Sequence, residues 1–493
     1  MPSDFEEYPA LTIPLMISDS ALSTKISARL LNPYLNLTTF FIRRTVEKAF
    51  QLDEPPSELF PLPLFNPNNP ASTFQATGSP LITSAVDDVM YIVNKLLHRS
   101  LHTSSCHLVT GVLATVSRVL GSDYIGVIQR RMRDECNPRP TPQTTTIIVG
   151  NPAATLTQAV ANLVDDRSCM FMVLINNLDI SSEYCRRIVT SYLNASSQQS
   201  ELAGTEIYGD DSAPPVPLEA LFPFKDDPQQ VRTALGSLES GFTQKCTEVL
   251  SDAVLTLFNQ LVKAKLRPLI TEAFRDMDYS ITAPVNTTAA NTDISEAEAT
   301  FGGRSLVVPE DILSLQGEEV PKTRFDAAFS ALIYPFKSIL TEATFSKLLN
   351  HIANYLARLL EKKILQVGGG VMGGIAAGGG TIAGGVSSGG GGSGSSGLGT
   401  GGNISDLGAI RLERDVAGII GVVVKFGRYG VRELFARCAQ ICLVLSADEE
   451  EAQELWRSHE DNDGGVGGDD PMGVEWKLSM DEKRRVRGML IKR

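Results

Sequence analysis

The sequence predicts an all-α fold: an elongated rod of consecutive helical bundles with disordered loops between them. Three observations predict it. Apolar residues recur at intervals of three and four over long stretches. Strand-like alternation is almost absent. The periodic stretches are separated by segments rich in Pro, Gly, Ser or acid, where helices end. With 493 residues, 43% of them hydrophobic and 20% charged, the chain has apolar material for roughly three modules, each with its own core.

Taken in order, helical periodicity runs through 37–50, 83–101, 105–135, 153–165 and 167–193. It returns in Leu235, Leu238, Phe242, Val249, Leu250, Val254, Leu257, Phe258 and Leu261, with Gln244, Lys245, Glu248 and Asp252 on the opposite face. A further pattern covers 324–341. The clearest stripe is Phe345, Leu348, Leu349, Ile352, Tyr355, Leu356, Leu359, Leu360 and Ile364, and helices over 411–426 and 430–457 follow. The best strand candidate, Thr144 to Val149, is short.

Residues 52–80 contain Pro55, Pro56, Pro61, Pro63, Pro67 and Pro70, so no helix runs through them. Residues 195–228 and 280–322 read as polar loops, 367–402 holds nearly half of the 42 glycines, and 447–472 is acidic and Gly-containing. The predicted domains are therefore a bundle at 1–140 with a Pro-rich loop at 52–80 and a second bundle at 150–280. A linker at 281–322 leads to a C-terminal bundle at 323–493, interrupted by the Gly-rich insertion 367–402. No tandem repeat of solenoid period is visible.

The same composition narrows function. A net charge of −13 is the wrong sign for nucleic acid as a partner, because phosphate binding needs a basic face. The seven cysteines are scattered and never spaced as CxxC, which fits a reducing compartment and neither a disulfide framework nor a zinc knuckle. Asp4, Glu6 and Glu7 precede any apolar stretch, unlike a secretory or mitochondrial signal, and no stretch is read as reaching the ~20 apolar residues that cross a bilayer. A cytosolic protein, or one on a membrane's cytosolic face, is expected, where the sequons at Asn194 and Asn286 go unused.

Catalytic constellations are missing as well. The glycine tract has neither the preceding strand nor the Gly-Lys-Ser/Thr of a phosphate loop. His98 and His102 stand at i, i+4 with Cys106 and His107 beyond, which is ligand chemistry at helical spacing. They lack a ligand-rich counterpart, and Ser104-Ser105 reads as a helix break with a new N-cap. Asp87 and Asp88 diverge by ~100° on a helix and so form no convergent acid–base pair. With five histidines and no GxSxG or HExxH, no catalytic, cofactor-binding or metal residue and no small-molecule substrate is expected. The basic end Lys483 to Arg493 reads as a solvated helix that balances the acidic loop before it, with contact to anionic lipid as the alternative.

Several helices carry more than periodicity. Phe40-Phe41-Ile42-Arg43-Arg44-Thr45-Val46-Glu47-Lys48-Ala49 and Ser84-Ala85-Val86-Asp87-Asp88-Val89-Met90-Tyr91-Ile92-Val93-Asn94-Lys95 resemble the subunit 4 family of the conserved oligomeric Golgi complex. The likeness continues in order through Leu174-Ile175-Asn176-Asn177-Leu178, Ser330-Ala331-Leu332-Ile333-Tyr334, Leu412-Glu413-Arg414-Asp415-Val416, Phe435-Ala436-Arg437 and Trp476-Lys477-Leu478-Ser479.

The resemblance implies a non-enzymatic subunit of a vesicle tether in retrograde traffic between Golgi cisternae, peripheral on the cytoplasmic face of the Golgi membrane. It implies sister subunits, Golgi SNAREs and a Sec1/Munc18-type protein as partners, and no cofactor. It also implies that Arg437 pairs with Glu482 and joins the last helices, an ion pair worth about 0–1 kcal/mol when partly exposed. Relative to the family, the segments 52–80, 367–402 and 447–472 are expanded, and the N-terminal coiled-coil half is expected to be missing from this sequence. A helical scaffold of another tether, exocyst-like and with different partners, is the alternative.

Overall fold

The computed structural model describes residues 12, 14–18, 20–59, 80–139, 165–194, 217–224, 226–280, 320–369, 404–427, 430–448 and 476–490. Among them there is no strand, and Ile404 and Leu490 form an isolated parallel bridge, so the all-α expectation holds. The strand expected at Thr144 to Val149, nearly all of the helical pattern at 153–165, and the greater part of the loops expected at 52–80, 195–228, 280–322, 367–402 and 447–472 lie outside the described residues.

The longer helices are α1 (Asn32–Gln51), α2 (Ser84–Leu101), α3 (Cys106–Val119), α4 (Ile125–Arg130), α5 (Asp166–Leu193) and α6 (Asp227–Leu257). They continue as α7 (Lys263–Ala273), α8 (Val320–Ile339), α9 (Glu342–Val367), α10 (Asp406–Lys425), α11 (Ala436–Ser446) and α12 (Met480–Arg487). They divide between two compact units, one of residues 1–150, 154–261 and 331–348, the other of 151–153, 262–330 and 349–493.

In the first unit α1 continues a helix that begins at Ala21, through a π turn at Ser27–Leu31. Pro33 follows that turn and has no N–H to give the regular ladder, which the wider turn accommodates. Ile42, Val46, Ala49 and Phe50 of α1 are buried against α2 and α3, and Val86, Val89, Met90, Val93 and Leu97 form the buried stripe of α2. Each such side chain larger than Ala49 contributes about 1.5–3 kcal/mol by leaving water. The helical run Cys106–Glu135 is, by length and composition alone, long and apolar enough to cross a bilayer, against the expectation that no stretch is. Half of its most apolar 18-residue stretch is buried, and Val109, Val112, Val116, Leu120 and Ile128 are fully covered, so it is a core helix. Burial pushes the thiols of Cys185 and Cys246 up to about 12, which leaves them protonated and inert.

Polar side chains fasten the helix ends of this unit. In the buried stretch of α5, Asn176 donates through Nδ2 to the carbonyls of Leu81 (3.0 Å) and Ile339 (2.6 Å) and accepts the Thr341 N–H (3.1 Å). Asn177 accepts the Thr83 N–H (3.0 Å) and donates to Thr83 Oγ1 (2.9 Å). The start of α2 and the end of α8 are thus tied to one turn of α5. Ser181 Oγ donates to the Asn177 carbonyl and Tyr124 Oη donates to Ser181, both at 2.5 Å. Nearby, Asp53 accepts the Ala85 N–H at the start of α2 (3.0 Å), while Arg131 donates to Asp53 (2.5 Å) and to the Phe50 carbonyl near the end of α1 (2.7 Å).

In the second unit Phe325 stacks on Phe329 with centroids 5.0 Å apart, and Phe329 meets Phe426 edge-on at 5.7 Å. Buried Tyr279 donates to Asp415 of α10 at 2.9 Å, which explains how an acid sits among the apolar positions Leu412, Val416 and Ile419. The Tyr279 carbonyl accepts the Ser405 N–H (3.0 Å) and passes so close to Gly408 that a Cβ there would lie 1.8 Å from its oxygen. The single helix expected over 430–457 is broken. A turn of helix at Gly430–Glu433 is followed by a bend at Leu434 and Phe435 before α11 starts, and the bend lets Phe435 enter the core at 1% exposure. Residues beyond Asp448 of that expected helix lie outside the described residues until Trp476.

Two glycines separate packing from propensity. Gly408→Ala is expected to cost about 1–3 kcal/mol, because the clash is with backbone. Gly241→Ala, inside α6 with nothing within 4 Å of the new methyl, is expected to add about 0.5–1 kcal/mol. Thermal melts of both variants check the pair, and equal shifts of the same sign would contradict this packing.

Candidate functional site

Arg437 is the second residue of α11, and Glu482 is the third of α12. The segment before α12 is set by its own chemistry. Ser479 takes an extended backbone, its hydroxyl accepts the Glu482 N–H (3.3 Å), and Glu482 Oε2 accepts the Ser479 N–H in return (2.9 Å), a reciprocal capping box. That fixes the Glu482 carboxylate before any other helix is considered.

The structure brings Arg437 and Glu482 together. Nη2 of Arg437 donates to Glu482 Oε1 at 2.5 Å and Nη1 to Oε2 at 3.4 Å. The same guanidinium donates from Nε to Glu361 Oε1 of α9 at 2.9 Å, and from Nη1 to the Lys477 carbonyl at 3.1 Å. All three nitrogens are engaged, and α9, α11 and α12 converge on one side chain. Arg437 is 36% exposed, as is Glu482, while Glu361 is 24% exposed.

Further contacts seat α12 on α11. Lys477 donates its N–H to buried Gln440 (2.8 Å). Arg487 donates to the carbonyls of Val444 (3.2 Å) and Ala447, satisfying acceptors at the end of α11. Lys483 is fully buried with its Nζ 3.5 Å from the centre of the Trp476 ring, a cation–π contact. The terminal segment expected to be a solvated basic helix therefore spends Lys483, Val486 and Arg487 on packing, and Arg484 and Arg485 remain at the surface.

Electrostatically the site is one cation between two carboxylates. The hydrogen bond from Arg437 is the main cause that holds Glu482 below the usual carboxylate range, and the Ser479 N–H adds to it. The same bond raises Arg437 further above its already high value. A guanidinium that never loses its proton moves none, so the cluster fixes shape and carries no proton transfer.

The other candidates do not gather into a site. His98 and His102 meet Nε2 to Nε2 at 3.1 Å on the exposed end of α2, but Cys106 points to Gln230 at 3.5 Å. Among the described residues no group of three or more His, Cys, Asp or Glu is arranged to hold a metal ion. Ser105 takes the N-cap position of α3 without a side-chain cap bond. Asp87 lies in the first turn of α2 and bonds the Tyr184 hydroxyl. Glu361 is the member that sequence reasoning misses: it sits among Lys362 and Lys363 in what reads as the charged end of a helix, and only the fold brings it to Arg437.

Arg437→Ala is expected to cost about 1–2 kcal/mol, the partial exposure of Arg437, Glu361 and Glu482 keeping the loss small. Glu482 has a folded-state pKa below its unfolded one, so its contribution is present above the ordinary Glu range and is lost as pH falls through the lowered value. The stability gap between wild type and Arg437→Ala, followed by urea unfolding, therefore stays level from neutral pH down to that range and then shrinks. A gap that widens on acidification would contradict the assignment.

The description "Conserved oligomeric Golgi complex subunit 4, C-terminal" belongs to a family model that matches residues 171–383 and 392–485, more than half of the chain. A second model, "COG4 transport protein, middle alpha-helical bundle", matches residues 2–132. The chain is similar to conserved oligomeric Golgi complex subunit 4 of Arabidopsis thaliana, 21% identical over 462 residues, which are 93% of this chain and 44% of the relative. The Saccharomyces cerevisiae subunit 4 is 21% identical over 324 residues, 66% of this chain and 30% of that one. The chain thus spans less than half the length of either relative. Among solved structures, the C-terminal domain of the exocyst subunit Sec6p aligns over 94% of this chain and 91% of its own at 9% identity, with a TM-score of 0.43. Two subunit 4 models, matched in order from residue 2 to residue 485, place the chain in a family: it belongs to the conserved oligomeric Golgi complex subunit 4 family.

Proposed function

We propose that this protein is a subunit of a Golgi vesicle-tethering complex, acting in retrograde transport within the Golgi by binding sister subunits, Golgi SNAREs and a Sec1/Munc18-type protein. The observation that carries this reading is the ordered match of the middle and C-terminal subunit 4 models. It works by being bound, peripherally on the cytoplasmic face of the Golgi membrane, and carries out no reaction of its own. The Arg437 cluster supports the reading in a physical way. Three helices locked at one guanidinium present a surface of fixed shape, and preformed surfaces bind with less entropic cost than ones that must be ordered on contact.

Affinity purification from cells followed by mass spectrometry tests the assignment. Sister subunits of the Golgi complex and Golgi SNAREs are the expected recovery, and exocyst or endosomal proteins in their place would overturn it. Arg437→Ala, whose stability cost is small, is expected to lower recovery of at least one partner severalfold. Unchanged recovery of every partner would separate the cluster from recognition.

A further inference from the structure

The helix that begins at Ala21 has an unusual surface. Leu22, Ile26, Leu30, Leu37, Phe40 and Phe41 are all exposed, Leu37 at 68% and Phe40 at 70%. Spacings of four, four, seven and three residues from Leu22 to Phe40, with Phe41 four residues after Leu37, keep them along one side of the helix. Between Ala21 and Leu31 no residue is buried, so that length of helix places no side chain in the core of its bundle. Exposed large apolar residues scattered singly need no explanation, but a continuous row of them does.

Charge says what covers the row. Between Ala21 and Val46 the sequence holds four basic residues and no acidic one, in a chain whose net charge is −13. Arg43 and Arg44 are met by Asp123 (3.2 Å) and Glu47 (2.6 Å). Lys25 and Arg29 are exposed on the apolar segment, and among the described residues no ion pair engages them. A helix with Leu, Ile and Phe exposed on one side and Lys and Arg beside them has the composition that partitions into the headgroup layer of a bilayer. The basic residues select anionic lipid. A protein groove would require acidic residues placed opposite two particular side chains, whereas a lipid surface supplies phosphates everywhere along the helix.

We propose that the exposed face of the Ala21–Phe41 helix docks directly on an anionic membrane surface, its apolar residues entering the interface and Lys25 and Arg29 meeting lipid phosphates. This rests on surface chemistry and not on the family, so it and the tethering reading can fail separately. The test is flotation of the full chain with vesicles of phosphatidylcholine alone and of phosphatidylcholine with about one third phosphatidylserine. Flotation with the anionic vesicles only, weakened by added salt, is expected. The doubly substituted Leu37→Asp, Phe40→Asp chain is expected to float about tenfold less, and so is Lys25→Glu, Arg29→Glu. All four positions are exposed, so the melting temperature should stay near wild type, which separates lost docking from lost folding. Flotation that both variants leave unchanged would overturn the proposal. So would absence of flotation with either vesicle, and if sedimentation then shows self-association that Leu37→Asp, Phe40→Asp abolishes, the face belongs to a second copy of the chain.

Discussion

Every helix in a bundle leaves unpaired N–H groups at its start and unpaired carbonyls at its end, and inside a protein those groups must find partners. This constraint organises what the apolar stripes alone leave open. Apolar faces specify a unique arrangement less strictly, because cores tolerate hydrophobic substitution and lose uniqueness before they lose stability. Side chains that reach across to a helix end cannot. Asn176 and Asn177 bind the start of α2 and the end of α8, Asp53 and Arg131 bind the start of α2 and the end of α1, and Ser405 with Tyr279 sets the start of α10. In α12 the capping box and Arg487 do the same.

The candidate site is one more case of this pattern, brought to the surface. Glu482 first completes the cap of its own helix, and Arg437 then uses that fixed carboxylate, Glu361 and the Lys477 carbonyl to join three elements. The energy involved is small beside that of the buried stripes, of which Leu348, Ile352, Leu356, Leu360 and Ile364 of α9 are a complete example. What the cluster supplies is geometry. A surface used for recognition needs its helices held in one register, and a planar guanidinium with three bound nitrogens specifies angles that apolar contact does not.

The helices are legible in the sequence because burial imposes a period of three and four, and the stripes of α9 and α6 sit in the core except for Tyr355, Leu359 and Val249, which are half-buried. Their breaks are less so. Nothing in the alternation around Leu434 distinguishes a continued helix from the bend that sends Phe435 inward, because both bury the same side chain. The apolar run 105–135 reads as helix, yet its two π turns leave no mark on the pattern, and its length and apolarity alone match a membrane span. The Arg437–Glu482 contact came from resemblance to a family, since the two residues are separated by 45 positions and no local spacing links them. Glu361, 76 positions from Arg437, has no sequence signal of that kind. Buried polar residues in apolar runs were the signal most readily available: Asn176-Asn177 within Leu174 to Leu178, and Asp415 at the spacing of Leu412 and Ile419, each announce a bond that the fold must supply.

The claim that polar staples at helix ends fix the register is tested most directly by hydrogen exchange on Asn177→Leu, which keeps the branched outline of the side chain and removes the acceptor for the buried Thr83 N–H and the donor to Thr83 Oγ1. The account predicts a loss of about 1–3 kcal/mol in stability. It also predicts that protection falls most at residues 83–86, while the middle of α2 around Val93 keeps its protection relative to the global value. Uniform loss across α2 and α5, or no change at the start of α2, would contradict it.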